Sequence, residues 1–417
     1  MANSNQPTEA TTETYEEDYA YYDKKKKSRM PRRRVGEIIS TIVILAVIIL
    51  LLLILLDAGF RDAVKSAFSP EVGGYREYPE WAEFEVEREI TVTPRNRGSP
   101  MNYEVDIPTP QNIGSNETII QSIRGIEKYP TPYEDTKDYY SGNYMWMFWN
   151  GSDITSEKKI TIVYSMRTEN AIWTMDSSDS GSVNDYSQNL IDKFGNKTRD
   201  EWKILPTDPE IKDLSNQLTG GKVTVYDKLW AIFDYMNDHF EYVTSNIGEP
   251  KVCYQTLKDR FGDCDDQSVL FISLARAAGI PCKLEFGALY NQKQEEWGGH
   301  AWIKTYIPHY SGEVYWYNID IVNDHFLFRD SFRFTEWESD GNGDHLEDYY
   351  YLFNGSNYLS SETYTTLSLK TSSKTTRISE EGRPMDEKVP GFEGMLVVSA
   401  ILITALILRR KKHLRKR

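Results

Sequence analysis

Ile38 to Leu56 is a run of nineteen residues without a charge, and it divides the chain before any folding rule is applied. As a helix rising about 1.5 Å per residue it spans roughly 28 Å, close to the hydrocarbon thickness of a bilayer. A cleavable signal peptide has a shorter apolar core and a small-residue exit. This run instead leaves through Leu56-Asp57-Ala58-Gly59, so an uncleaved transmembrane helix is expected over residues 35–57. Residues 1–34 are polar, begin acidic and Tyr-rich, and end in a basic cluster at Lys24–Arg34. That composition predicts a disordered tail, and its eight Lys and Arg belong on the cytoplasmic side. The main domains are then expected outside the cytoplasm, anchored to the cell membrane.

At the other end, the uncharged run Gly394 to Leu408 is fifteen residues long, short for a span but workable with local thinning of the bilayer. Residues 390–408 are therefore expected to be a hydrophobic anchor or sorting segment, and residues 409–417 a basic cytoplasmic tail. Pro390-Gly391-Phe392 ahead of an apolar run and a basic cluster resembles archaeal C-terminal sorting signals. That resemblance implies an archaeal cell envelope and replacement of the tail by a lipid anchor. Such signals usually accompany a cleavable N-terminal signal, from which this chain departs, and permanent insertion is the rival. The first 34 residues carry +2 and the last nine +7, which leaves −24 between them out of a total of −15. A region so acidic is unsuited to nucleic acid and repels anionic lipid heads. Asn116, Asn150, Asn196 and Asn354 head Asn-x-Ser/Thr sequons, compatible with an extracytoplasmic location.

Between the runs, residues 58–80 read as a juxtamembrane stalk broken by Pro70 and Gly73-Gly74. Segments alternating in hydrophobicity at residues 84–96, 101–107, 118–129, 144–149, 158–168 and 171–175 are punctuated by turn signals, including Asn150–Asp153. They predict an antiparallel β-sandwich over residues 81–186. Trp146, Phe148 and Trp149 are more economically core than ligand groove. From Ser187 helical signals take over, and an α+β domain is expected over residues 187–360. The run Glu338–Asp348 superficially resembles a calcium loop, but His345 and Tyr351 occupy positions that an EF-hand reserves for Gly and Glu, so a solvated turn is expected. Residues 361–389 read as a polar linker.

The chemistry concentrates in one stretch. Gly262 and Asp263 break the preceding pattern, and apolar residues recur at helical spacing from Cys264 until Gly279-Ile280-Pro281. Cys264 thus opens a helix, whose first N–H groups and positive dipole end favour a thiolate and offer a donor to an oxyanion. Asp265 and Asp266 follow it and either tune the thiol or cap the helix. Residues 283–287 read as a strand. The segments around His300 and Asp320 also read as strands, bounded by Gly298-Gly299 and Ser311-Gly312 as turns. Two adjacent antiparallel strands can hold an imidazole beside a carboxylate. Of the three cysteines, Cys253 and Cys282 either pair or are buried thiols, the latter being preferred for Cys282.

Gly262-Asp263-Cys264 with Gly279-Ile280-Pro281, then His300-Ala301-Trp302, then Trp316 with Asp320, resemble the core motifs of the transglutaminase-like superfamily, over roughly residues 205–335. The resemblance implies a papain-like core, with Cys264 as nucleophile, His300 as base and Asp320 as orienting acid. It implies a cysteine protease, amidase or acyltransferase that forms a thioester on a peptide or envelope-protein amide, resolved by water or by an amine. Hydrolysis is slightly favoured, because water needs no second-substrate site. The competing expectation is a noncatalytic peptide-binding or structural envelope module with a vestigial triad. No cofactor-binding loop and no zinc-ligand set is apparent, so no cofactor or metal is expected.

Overall fold

The computed structural model describes residues 75–379 and 382, apart from 97, 116–117, 139–144, 245–248 and 352–357. The two apolar runs, the tails, most of the stalk, and the sequons at Asn116 and Asn354 lie outside the described residues. Among the described residues no helix is long and apolar enough to cross a membrane.

Strict alternation builds the first half. In Trp81–Pro94 the side chains of Ala82, Phe84, Val86, Ile90 and Val92 are buried, while the intervening Glu residues are more exposed. This strand pairs antiparallel with Lys158–Glu169, which buries Ile160, Ile162, Tyr164 and Met166 on the matching phase. The sheet has the order Tyr358–Thr371, Trp81–Pro94, Lys158–Glu169, Thr118–Tyr129, Ile113–Ser115. A second sheet of Met101–Pro108, Met145–Ile154 and Glu134–Asp138 contributes Val105, Ile107, Met147 and Trp149 to the same buried cluster. Trp146 and Phe148 point the other way along their strand and join the core of the second half, where Trp146 meets Trp337 edge-on.

Three segments depart from expectation here. The supposed polar linker is strand: Tyr358–Thr371 pairs with Trp81–Pro94 from Tyr358–Pro94 to Thr371–Ala82, and Thr375–Ser379 pairs with Tyr75–Pro79 at the end of the expected stalk. The Ser/Thr composition misleads because Tyr358–Thr371 is an edge strand, most of whose side chains stay in solvent. The expected turn at Asn150–Asp153 lies inside Met145–Ile154, where Asp153 takes a positive φ of 54° rather than ending the strand.

The second half is helical, then β. Asp208 caps Pro209–Thr219 and Thr224 caps Val225–His239, each accepting first-turn N–H groups that would otherwise lack partners. These two helices and Cys253–Asp259 surround Cys264–Ala277, which is buried from Asp266 to Arg276. Asp263 caps this helix, and a reciprocal bond from the Asp263 N–H to Asp266 completes a capping box. Gly279, at φ 82°, ends it. A five-stranded antiparallel sheet follows, in the order His325–Phe326, Val314–Asp320, Glu296–Pro308, Cys282–Asn291, Arg333–Glu338. Leu284, Phe286, Ala301 and Ile303 share the buried cluster of the Cys264 helix, while Ala288, Trp297 and Phe334 join the cluster of the β half. The sheet therefore joins both halves.

Gly298-Gly299 is not a turn. It lies within Glu296–Pro308, opposite Leu289 and Ala288, and the reversal comes earlier, where Glu295 takes a φ of 57°. The acidic loop before Asp344–Tyr351 is not a solvated turn either. Arg276 donates to the Gly341 carbonyl at 3.2 Å, Gly343 donates to Glu201 at 2.6 Å, and both glycines are buried.

Candidate active site

Cys264 is the first residue of its helix, and its sulfur accepts a hydrogen bond from the Ala301 backbone N–H. It lines a cavity of about 160 Å³ together with His300, which sits on the central strand of the sheet. His300 Nε2 lies 2.8 Å from Asp320 Oδ2 on the neighbouring strand. An Nε2–H tautomer donates to that carboxylate and leaves Nδ1 as the ring nitrogen available to the thiol. The structure thus brings Cys264 and His300 to one cavity and joins Asp320 to His300.

Asp320 is itself held from behind. Arg333 Nη1 is 2.7 Å from Asp320 Oδ2, Asn323 Nδ2 donates to the same oxygen at 2.9 Å, and Arg333 Nη2 is 2.5 Å from Asp330. Asp320, Arg333 and Asp330 are all buried. Burial alone would raise the Asp320 carboxyl, but His300 and Arg333 hold it well below the usual carboxylate range. Next to them His325 is 3.1 Å from Arg333 and 2.9 Å from the Tyr78 hydroxyl, and burial and then Arg333 depress it to about 3. The sequence reading missed these residues because Arg333–Glu338 is buried almost throughout and its charges fall on no distinctive phase.

The thiol differs from expectation. Burial pushes Cys264 well above its ordinary value, Asp265 pushes it further, and the Ala301 N–H opposes them. A helix start was expected to favour the thiolate, but this one carries acids in its first turn. Asp265 and Asp266 divide the two roles foreseen for them. Asp266 is buried, belongs to the capping box and accepts from Lys251 N at 2.5 Å, whereas Asp265 lines the cavity and acts on the sulfur. Cys253 and Cys282 are buried free thiols, and Cys282 Sγ lies 3.2 Å from Thr305 Oγ1.

One wall of the cavity comes from the β half. Arg88 is buried and binds Glu336 at 2.7 Å and Glu362 at 2.7 Å, and the Tyr164 hydroxyl donates to Glu336 at 2.7 Å. Tyr364 lines the same wall. The sequence held one signal for this: Arg88 occupies the buried phase of Trp81–Pro94, where a lone charge among apolar residues needs a partner.

Residues 212–321 match the family model of the transglutaminase-like superfamily, a span that contains Cys264, His300 and Asp320. A stretch of 129 residues is 28% identical to the uncharacterized protein YebA of Bacillus subtilis (strain 168), covering 26% of this chain and 18% of that protein. The chain thus spans under a fifth of that relative's length. Two solved structures are similar: a "putative cysteine protease" from Cytophaga hutchinsonii, at TM-score 0.48 and 15% identity over 76% of this chain and 96% of that one, and a "putative protease" from Parabacteroides distasonis, at 0.25 and 13% over 64% and 48%. Over residues 212–321, and so across Cys264, His300 and Asp320, the chain is similar to the transglutaminase-like superfamily.

Proposed function

We propose that the protein is a membrane-anchored, transglutaminase-like cysteine enzyme that acts outside the cytoplasm on peptide or protein amides. The observation that carries this reading is the 2.8 Å bond from His300 to a buried Asp320, with Cys264 and His300 on one cavity. His300 takes the Cys264 proton as the sulfur attacks the amide carbonyl, and the same proton passes to the departing amine as the carbon–nitrogen bond breaks. The product is a Cys264 thioester. The N-terminus of the Cys264 helix, with the positive end of its dipole at the sulfur, suits the oxyanion. Water then releases an acid, or a primary amine forms a new amide. Hydrolysis is the favoured outcome, since water requires no acceptor site.

The nineteen-residue apolar run and the basic residues ahead of it support anchoring with the described residues outside, and the −24 charge between the tails supports a soluble ectodomain facing peptide or envelope-protein substrates. One observation favours the rival, a noncatalytic module: burial and Asp265 both stabilise the neutral thiol. Acid quenching of the full chain with a casein digest, followed by mass spectrometry, separates the two. An acyl adduct on Cys264 that is absent from Cys264→Ala supports the enzyme, and its turnover with and without added glycine ethyl ester assigns the acceptor. A wild-type protein that never carries the adduct, yet binds the same peptides as Cys264→Ala, supports the module.

A further inference from the structure

A second cavity, about 460 Å³, opens elsewhere on the catalytic sheet and shares no described lining residue with the Cys264 cleft. Lys304 follows His300 by four residues on one strand, so the two lie on the same face about 13 Å apart. Lys304 pairs in register with Lys283, and both ammonium groups bind one carboxylate, Glu338, at 2.5 and 2.8 Å. All three side chains are largely buried, at 6%, 9% and 13% exposure. Burial would raise the Glu338 carboxyl, but Lys304 and Lys283 bring it down to about 2, so it is ionised. Two lysines thus meet a single carboxylate in the wall of a cavity of this size, a local excess of positive charge that an anion can share.

The rest of the lining repeats that bias. Lys193 adds a third ammonium at the rim. The other carboxylate among the described lining residues, Asp340, is committed to His345 at 2.8 Å and to the Asn342 N–H. Among the described residues, the Tyr306 hydroxyl, the Trp316 indole N–H and the Asn112 amide N–H have no hydrogen-bond acceptor, although Asn112 Oδ1 is fixed by the Ile123 N–H at 2.7 Å. The aromatic faces are already engaged: Lys304 lies 3.9 Å over Trp316, and Tyr306 stacks on Phe194 at 5.2 Å. What the cavity offers a ligand is N–H and O–H donors and positive charge, with little free apolar face.

We propose that this cavity binds a small polar molecule bearing an oxyanion, with Lys304 and Lys283 as its charge partners and Tyr306 as a further donor. The oxyanion is a carboxylate or phosphate on a body of monosaccharide size, a class that includes acidic sugars and acidic amino-acid derivatives. The site is independent of the thiol chemistry, so its test stands whether or not Cys264 is catalytic.

The test is thermal unfolding of the full chain in detergent, titrated with glucuronate, N-acetylglutamate, inorganic phosphate and glucose at ionic strength held constant with chloride. The expected result is a saturable rise in melting temperature with at least one of the three anions and none with glucose. Lys304→Met should weaken it about tenfold, the loss of one charge-assisted hydrogen bond. Response to glucuronate alone assigns a sugar acid, to N-acetylglutamate alone a peptide acid, and to phosphate alone or to all three a site that reads the bare oxyanion. Should Lys304→Met fail to fold, Tyr306→Phe and the exposed Lys193→Ala decide, each expected to weaken the response. No saturable shift with any of the anions, or equal shifts in wild type and the variants that fold, would overturn the proposal.

Discussion

Arg333 Nη1 lies 2.7 Å from the same Asp320 oxygen that His300 Nε2 reaches at 2.8 Å. The carboxylate that orients the imidazole is therefore also the counterion of a buried guanidinium, and its charge is shared. Arg333→Met should strand Asp320 and Asp330 together in the interior and cost about 3–5 kcal/mol, read as a lower urea midpoint. The Asp320 carboxyl is held below its unfolded value of about 3.9, so its contribution is complete above that pH and is lost as the pH falls below it. In a variant that still folds, the loss below about pH 4 should be smaller.

His325 gives a second pH signature with a separate window. Burial, then Arg333, lowers it to about 3, so between an unfolded value of about 6.5 and 3 the unfolded chain binds the extra proton. Stability should therefore fall as the pH drops through that range, by up to about 1.4 kcal/mol per pH unit. His325→Gln forfeits the Tyr78 contact but should show a shallower slope than wild type in urea midpoints taken from pH 7 to 4.5. Identical slopes would contradict the assignment.

Asp265 disfavours the Cys264 thiolate. Its charge is the second cause, after burial, that keeps the Cys264 thiol protonated. Asp265→Asn retains an oxygen for the Asp266 N–H, which Asp265 Oδ1 accepts at 2.9 Å, and removes the charge. The pH midpoint for alkylation of Cys264 by iodoacetamide should move down, with a severalfold faster rate at neutral pH. An unchanged midpoint would assign the shift to burial alone.

Gly287 stands opposite His300 in register, at a point where its strand slips against Arg333–Glu338. A Cβ there would lie 1.8 Å from the Phe334 carbonyl oxygen, a backbone atom that cannot rotate away. Gly287→Ala should cost on the order of 1–3 kcal/mol or more and slow Cys264 alkylation by moving the His300 strand. Gly298→Ala, on the same hairpin but with open space around its Cβ position, is the control and should be nearly neutral.

These residues also mark how far the sequence could be read. Cys264 was legible as a helix start because Asp263 and Gly279 bound a periodic apolar run, and the strands of His300 and Asp320 were legible from their alternation. The sheet strands of the first half were legible for the same reason. Arg333 and Asp330 were not, because their own pairing is local but only the folded sheet brings Arg333 within reach of Asp320. Tyr358–Thr371 was hidden by polarity, since an edge strand need bury few of its side chains. The thiol's electrostatics were misread because the helix dipole is visible in sequence, whereas burial and the aim of Asp265 emerge only when the β half closes over the cleft.

The central claim is that His300 activates Cys264, and the most direct measurement is the rate at which a peptide vinyl sulfone labels Cys264 at pH 7 in wild type, His300→Ala and Asp320→Asn. The structure predicts one label per chain, on Cys264 and not on the buried Cys253 or Cys282. It predicts a rate at least about 100-fold lower without the imidazole, within the range of general base catalysis, and an intermediate loss in Asp320→Asn. Labelling of folded wild type that is absent, or that proceeds equally fast in His300→Ala, would contradict the account.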